Sequence, residues 1–314
     1  MSKPVIEVRG LAKQFKGVNA VAGIDFSVKQ GELFGFLGPN GAGKTTTVRI
    51  LTGVLSPSQG TASIRGHDIR SQSLLSRAHI AVVPEQANVY LDLSVRRNII
   101  LMAELYGIPR EQAIRKMDEL LGMLELGDRA GHRARELSKG LRQRLMLCAA
   151  LITEPEILFL DEPTSGLDVQ GRHMIQKIIK ELNGSGLTIF LTTHDMDEAG
   201  QLCSRIAIIN KGRIAAIDTP ERLRSAIISS QFVDILFEDE VPDKENFESL
   251  AGVSAVETGG CRIRLFSNSP SRTVTEAACL IRDRNLKIQG LCTKKPSLEQ
   301  VFLYFTDHSG REEK

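Results

Sequence analysis

Nothing in this chain of 314 residues constrains its fold as tightly as Gly38-Pro39-Asn40-Gly41-Ala42-Gly43-Lys44-Thr45-Thr46. The segment follows the apolar run Leu33–Leu37 and precedes helix-forming sequence, so it reads as strand, glycine-rich turn and helix start. Glycines there let successive backbone N–H groups point at a polyphosphate, and the first turn of the helix adds the positive end of its dipole. Lys44 has the reach for β and γ phosphates, and the Thr45 hydroxyl can ligate Mg²⁺. A pattern this short also arises by chance. The strand–loop–helix context is what raises it to a nucleoside triphosphate site.

Composition narrows the class only a little. The length allows about two domains. A formal net charge of +2 and the lack of a long basic block give no pull toward nucleic acid. The cysteines, Cys148, Cys203, Cys261, Cys279 and Cys292, form no C-x-x-C pair. Cys148 and Cys203 lie in apolar sequence, where a thiol is more often inert core than metal ligand. No run of ~18 apolar residues occurs, so no membrane span is expected. Lys3 leads into an alternating strand and not into a leader. The chain is expected in the cytoplasm, with any membrane role coming through a partner.

Periodicity organises the rest. Residues 4–9 and 24–28 alternate as strands do, and Thr45–Thr52 reads as a helix. Residues 95–106 and 111–125 carry Ile99, Met102, Leu105, Met117, Leu120, Leu121 and Leu124 at helical spacing, which predicts a helical insert. Ile157–Leu160 and Thr188–Leu191 are continuous apolar runs, as expected of strands buried on both faces of a parallel sheet. Met174, Ile175, Ile178, Ile179 and Leu182 trace a helix face between them, and residues 206–215 read as a closing hairpin. Beyond residue 225 the pattern restarts: strand 232–237, helix 242–251, strand pair 253–257 and 262–266, helix 271–284, strand 286–291. That is the β-α-β-β-α-β order of a small α+β ferredoxin-like domain. A last helix from Ser297 carries Leu298, Val301, Phe302 and Phe305 on one stripe, read as core packing ahead of a partner site.

Further motifs follow the phosphate loop in order. Leu137-Ser138-Lys139-Gly140-Leu141-Arg142-Gln143-Arg144 resembles the signature motif of ATP-binding cassette (ABC) proteins. Ile157–Leu160 with Asp161-Glu162-Pro163 resembles their Walker B strand, Ser165-Gly166-Leu167-Asp168 the D-loop, and Thr192-Thr193-His194 the H-loop. Each alone has a plain reading, such as a charge pair at a strand end or a satisfied loop histidine. Their joint order does not. The resemblance implies a P-loop NTPase, α/β, over residues 1–225, with a helical insert at about 86–137 and an accessory domain at 226–314.

It also implies roles. Lys44 and residues 38–46 would hold the phosphates of ATP, and Thr45 and Asp161 would hold Mg²⁺. Glu162 would be the general base, and His194 would contact the γ-phosphate. Phe15 matches the aromatic that stacks on adenine, with a core phenylalanine as the plain alternative. Ser138 and Gly140, with Asp168 of the D-loop, would meet the nucleotide of a second copy, so that two chains close head-to-tail over two ATP molecules. The signature departs from the commoner S-G-G-Q at Lys139 and Leu141. The Q-loop places Glu85 where glutamine is usual, with Gln86 next, and either is a candidate metal ligand.

These departures, with Pro296–Phe302 in the tail, resemble the ATPases of ABC-2 type exporters of the daunorubicin-resistance and nodulation-factor kind. That resemblance implies a separate multispanning permease, a peripheral place on the cytoplasmic face of the membrane and no nucleic-acid partner. Residues 89–93 are the candidate docking site, or else pack within the insert. The alternatives are a non-transport ABC ATPase of translation or DNA repair, an importer subunit and an ATP-binding scaffold.

Overall fold

The computed structural model describes residues 3–86, 88–226, 232–239, 241–294 and 296–308. The chain divides into two compact units, Met1–Thr219 and Pro220–Lys314.

Alternating burial builds the antiparallel pair β1 (Pro4–Phe15) and β2 (Val18–Lys29). Both strands are longer than the alternation at 4–9 and 24–28 indicates. Irregularities in register between Val8 and Ala12 carry the ladder through a stretch where the two-residue period is broken. With β4 (Gln59–Ile64) and β5 (His67–Asp68) they form a sheet of order β2-β1-β4-β5.

A second sheet is made from β3 (Leu33–Leu37), β6 (Ile80–Val83), β7 (Ile157–Asp161), β8 (Thr188–Thr193), β9 (Arg205–Asn210) and β10 (Arg213–Asp218). Its order is β10-β9-β3-β8-β7-β6; all neighbours are parallel except β9 and β10, which form the closing hairpin. Strands β3, β7 and β8 are buried along their whole length, which is why they read as unbroken apolar runs. Strand β6, only four residues long, carries too short a pattern to stand out in the sequence.

The sheet is packed by α1 (Lys44–Leu51), α2 (Ser73–Arg77) and α7 (Met196–Leu202), with α6 (Val169–Gly184) against α7, while α3 (Val95–Leu105), α4 (Arg110–Met123) and α5 (Lys139–Leu151) pack together as the helical insert and its return, α5 lying also against β6. Ile99, Met117, Leu120, Leu121 and Leu124 are buried as the spacing predicts, but Leu105 is exposed at the end of α3. A helix's last turn can leave the core stripe when its chain turns away, and here Tyr106 and Gly107 close it.

Parallel register places Phe34 beside Phe190 and Phe190 beside Phe159. Phe190 also touches Phe36 and, from the other sheet, Phe26, with ring centroids 5.3 to 6.0 Å apart. This row of rings fixes the strands against one another.

In the second unit α8 (Pro220–Ser225) precedes β11 (Phe232–Phe237), α9 (Glu245–Glu248), β12 (Val253–Gly259), β13 (Arg262–Ser267), α10 (Pro270–Asp283), β14 (Ile288–Lys294) and α11 (Leu298–His308). The sheet is antiparallel with order β12-β13-β11-β14, which is the ferredoxin-like arrangement. Helix α9 is a single turn where the sequence suggests residues 242–251. The turn at Leu250 followed by Gly252 at φ 85° ends it. Strand β14 starts later than residue 286, because Asn285 takes a left-handed φ of 53° and the chain re-enters the sheet only at Ile288. On α11, Leu298 and Val301 are buried and Phe302 and Phe305 half-buried, so the stripe serves packing.

Phe190→Ala removes the ring that four others touch and is expected to cost about 3–5 kcal/mol of stability, read from urea unfolding of the whole chain.

Candidate nucleotide site

Three neighbouring strands of the parallel sheet end level with one another. Leu37 of β3 pairs with Thr193 of β8, and Thr192 of β8 pairs with Asp161 of β7. The loop after β3, the acidic pair ending β7 and the histidine after β8 therefore emerge at one edge, where ligands of open parallel sheets bind.

The loop demands glycine at two places for steric reasons. A Cβ at Gly38 would lie 2.3 Å from the Ile209 carbonyl oxygen. Gly43 has φ 111°, and a Cβ there would lie 2.4 Å from the Ala20 carbonyl oxygen. With these in place α1 begins at Lys44, and its free N–H groups face the loop.

Lys44 is buried, and its ammonium donates to the carbonyls of Gly38 at 2.6 Å and Pro39 at 3.2 Å. Its third contact is an ion pair with Glu162 Oε1 at 3.1 Å. Glu162 is itself 8% exposed, and its Oε2 meets His194 Nδ1 at 2.7 Å. The His194 side chain is half exposed and looks outward. The backbone of Glu162 takes a left-handed φ of 51°, uncommon for a residue with a Cβ. That conformation is held by two bonds from its N–H, to the Thr192 carbonyl at 3.1 Å and to Thr192 Oγ1 at 3.2 Å. A strained backbone so over-determined is the kind found where a side chain must be aimed.

Asp161 accepts from Thr192 Oγ1 at 2.5 Å and from Thr45 Oγ1 at 3.3 Å through the same oxygen, Oδ1. Thr45 and Asp161, together with Glu85 and Gln86, line one cavity of about 420 Å³. Hard oxygen donors, only one of them a firmly held carboxylate, suit Mg²⁺, which keeps several waters and is bound with substrate phosphates. Among the described residues no group of three or more His, Cys, Asp or Glu forms a separate metal centre.

The remaining candidates fall outside this cluster. Phe15 ends β1, is 43% exposed and carries the Lys13 ammonium 5.1 Å from its ring centre, so it belongs to no core. Asp168 caps α6 through Gly171 N at 2.7 Å, and Ser138 caps α5 through Leu141 N at 3.3 Å. Gly140 lies close to Gly171, and the Lys139 ammonium lies against Gly166, so the signature segment and the D-loop adjoin. Neither Ser138 nor Asp168 hydrogen-bonds to Lys44, Thr45 or Asp161. The buried thiols of Cys148 and Cys203 are pushed far above their ordinary pKa by burial and are unreactive.

Thr192, named in the sequence as part of the H-loop resemblance but given no role there, joins the two acidic residues: its hydroxyl donates to Asp161 and receives the N–H of Glu162. Its signal in the sequence is a pair of threonines closing a buried strand, Thr192 and Thr193.

A family model described as ABC transporter matches residues 21–165. The chain is 34% identical over 311 residues to a Nod factor export ATP-binding protein I of Ralstonia nicotianae, covering 99% of this chain and 96% of the relative. It is 35% identical to the daunorubicin/doxorubicin resistance ATP-binding protein DrrA of Streptomyces peucetius, covering 96% and 92%. A solved ATP-binding subunit of an ABC transporter superposes with a TM-score of 0.65 at 30% identity, over 71% of this chain and 93% of that one. A dimeric ATP-binding cassette in a post-hydrolysis state with ADP and Pi gives 0.63 at 26% identity, over 68% and 98%. The chain belongs to the ATP-binding subunits of ABC transporters, among relatives named for export.

Thr192→Val should leave a buried Asp161 oxygen short of a donor and cost about 1–3 kcal/mol in urea unfolding.

Proposed function

We propose that this chain is the ATP-hydrolysing subunit of a two-component exporter and drives a separate multispanning permease. The observation that carries the proposal is the chain of contacts Lys44–Glu162–His194 set beside Thr45 and Asp161 at the level ends of three strands.

Phosphoryl transfer to water asks a protein for positioning and charge neutralisation. Lys44 gives up its ion pair with Glu162 and takes β and γ phosphate oxygens, while the N–H groups that open α1 face the same anion. Thr45 and Asp161, with Glu85 or Gln86 beside them, hold Mg²⁺, which supplies neutralisation of the phosphate oxygens. Glu162, released from Lys44, orients the attacking water and takes its proton. His194, aimed through Glu162 Oε2, contacts the γ-phosphate. Phe15, exposed and unpacked, stacks on adenine.

Ser138 and Gly140 serve the nucleotide of a second copy, with Asp168 at the same face, so that ATP joins two chains head-to-tail and hydrolysis releases them. Two observations support this: both signature residues stand at the opening turn of α5, and the signature segment adjoins the D-loop.

The permease docks on the helical insert. Val89, Tyr90, Met102 and Tyr106 line a narrow cleft, whose wall Val82, Pro84 and Asn88 is shared with the cavity of Glu85 and Asp161. Tyr90 and Tyr106 are 55% and 57% exposed. An amphipathic permease helix fits such a site. No helix among the described residues is long and apolar enough to cross a membrane; on this reading the chain is a peripheral subunit, held at the cytoplasmic face by its permease.

Glu162→Gln should lower kcat for ATP by ~10²–10⁴-fold while ATP still binds, measured by phosphate release and by nucleotide titration; unchanged kcat removes the base assignment. Tyr90→Asp should abolish ATP-dependent transport in reconstituted vesicles and leave basal hydrolysis intact. Loss of both activities counts against the docking site.

A further inference from the structure

Behind the catalytic edge lies a carboxyl group that the hydrolytic scheme above does not use. Glu198, on α7, is 1% exposed. Its Oε1 accepts from Thr164 Oγ1 at 2.7 Å, and its Oε2 is sealed from solvent with no hydrogen-bond partner among the described residues. The polar side chains of Thr193 and Gln176 stand beside it. A carboxylate in such a place would leave an uncompensated charge, whereas a carboxylic acid would not.

The surrounding charges do not rescue the ionised form. Asp195, which caps α7 by accepting from Glu198 N at 2.9 Å, repels it. Arg172 of α6 is engaged by Asp195 Oδ2 at 3.0 Å, and no cation among the described residues forms an ion pair with Glu198. The Cys203 thiol at the other end of α7 is neutral. Burial, with that repulsion, raises the pKa of Glu198 above the ordinary range against the pull of its hydroxyl and amide neighbours.

What the carboxyl joins is informative. Thr164 lies two residues after Glu162, in the turn where Ser165 N donates to the Glu162 carbonyl at 3.1 Å. Thr193 immediately precedes His194, and its hydroxyl receives Asp195 N at 2.9 Å. Glu198 therefore sits between the turn that carries Glu162 and the segment that carries His194, and hydrogen-bonds to neither side chain.

We propose that Glu198 is a positioning residue for hydrolysis, a buried carboxyl group that ties the turn after Glu162 to the segment before His194 and so sets the aim of both. The proposal rests on the ATPase reading given above. A misplacement of about 1 Å in such an arrangement costs on the order of 10²-fold in rate. Nucleotide binding through Lys44 and Thr45 is not involved, so the effect belongs in kcat.

The test uses the full chain and four variants. Glu198→Ala and Thr164→Val should each lower kcat for ATP by about ten- to a hundredfold with KM little changed. Glu198→Gln keeps the neutral shape and the acceptor for Thr164, and should restore kcat to near the wild-type value. The double variant Glu198→Ala, Thr164→Val should be no slower than the slower single one, because both break one link. Full activity in Glu198→Ala, equal losses in the Gln and Ala variants, or additive losses in the double variant would each overturn the assignment. If Glu198→Ala does not fold, Thr164→Val decides alone by the same kcat criterion.

A second readout needs no nucleotide. A group whose folded pKa is raised stabilises the fold below its unfolded value, about 4.3 for Glu, and that stability is lost as pH rises through the folded value. The urea midpoint of the wild type should fall relative to that of Glu198→Gln as pH rises above that point. A pH-independent difference overturns the raised pKa of Glu198. Absence of ATP hydrolysis in the wild type itself would sink the exporter reading and leave this readout standing.

Discussion

Lys44 and Glu162 face each other 3.1 Å apart in a place almost closed to water, and the geometry of the candidate site follows from that contact. Taking two opposite charges out of water costs several kcal/mol per ion, and their attraction balances this only when the remaining donors and acceptors are also satisfied. Here they are. The ammonium spends its other protons on the Gly38 and Pro39 carbonyls, and the second carboxylate oxygen goes to His194. Such a pair is stable and also exchangeable: a polyphosphate offers Lys44 more negative charge than one carboxylate does, and taking it frees Glu162. In the proposed cycle, binding of ATP and release of the base are one event.

The pair can exist only because three strands end at the same height. That is a property of the parallel register, and the register is held by the row Phe34, Phe190 and Phe159 with Phe26 and Phe36 packed on it. Core packing, site geometry and the left-handed turn at Glu162 are thus successive links of one construction. The Thr192 hydroxyl is the joint between them, since it closes the turn at Glu162 and donates to Asp161.

The phosphate loop and the acidic pair were legible because their chemistry is contiguous: steric need for glycine, a lysine and a hydroxyl at fixed spacing, two carboxylates after an apolar run. The three-strand arrangement was legible from unbroken burial in β3, β7 and β8. The joining of Thr164 to Glu198 was not, because its partners lie 34 residues apart and neither stands out locally. The lengths of β1 and β2 were hidden by bulges, which break the alternation that reveals a strand. The single-turn α9 was overread because an apolar residue or two at helical spacing does not outweigh the left-handed turn at Gly252. In each case the missing information is tertiary: a period shows which face is buried, and not what lies against it.

The exchange of partners at Lys44 is the centre of the account, and a crystal structure with a non-hydrolysable ATP analogue and Mg²⁺ tests it directly. The account predicts Lys44 Nζ on β and γ phosphate oxygens, detached from the Gly38 and Pro39 carbonyls, with Glu162 turned to a water facing the γ-phosphate. Nucleotide bound in the loop with the Lys44–Glu162 pair intact would contradict it.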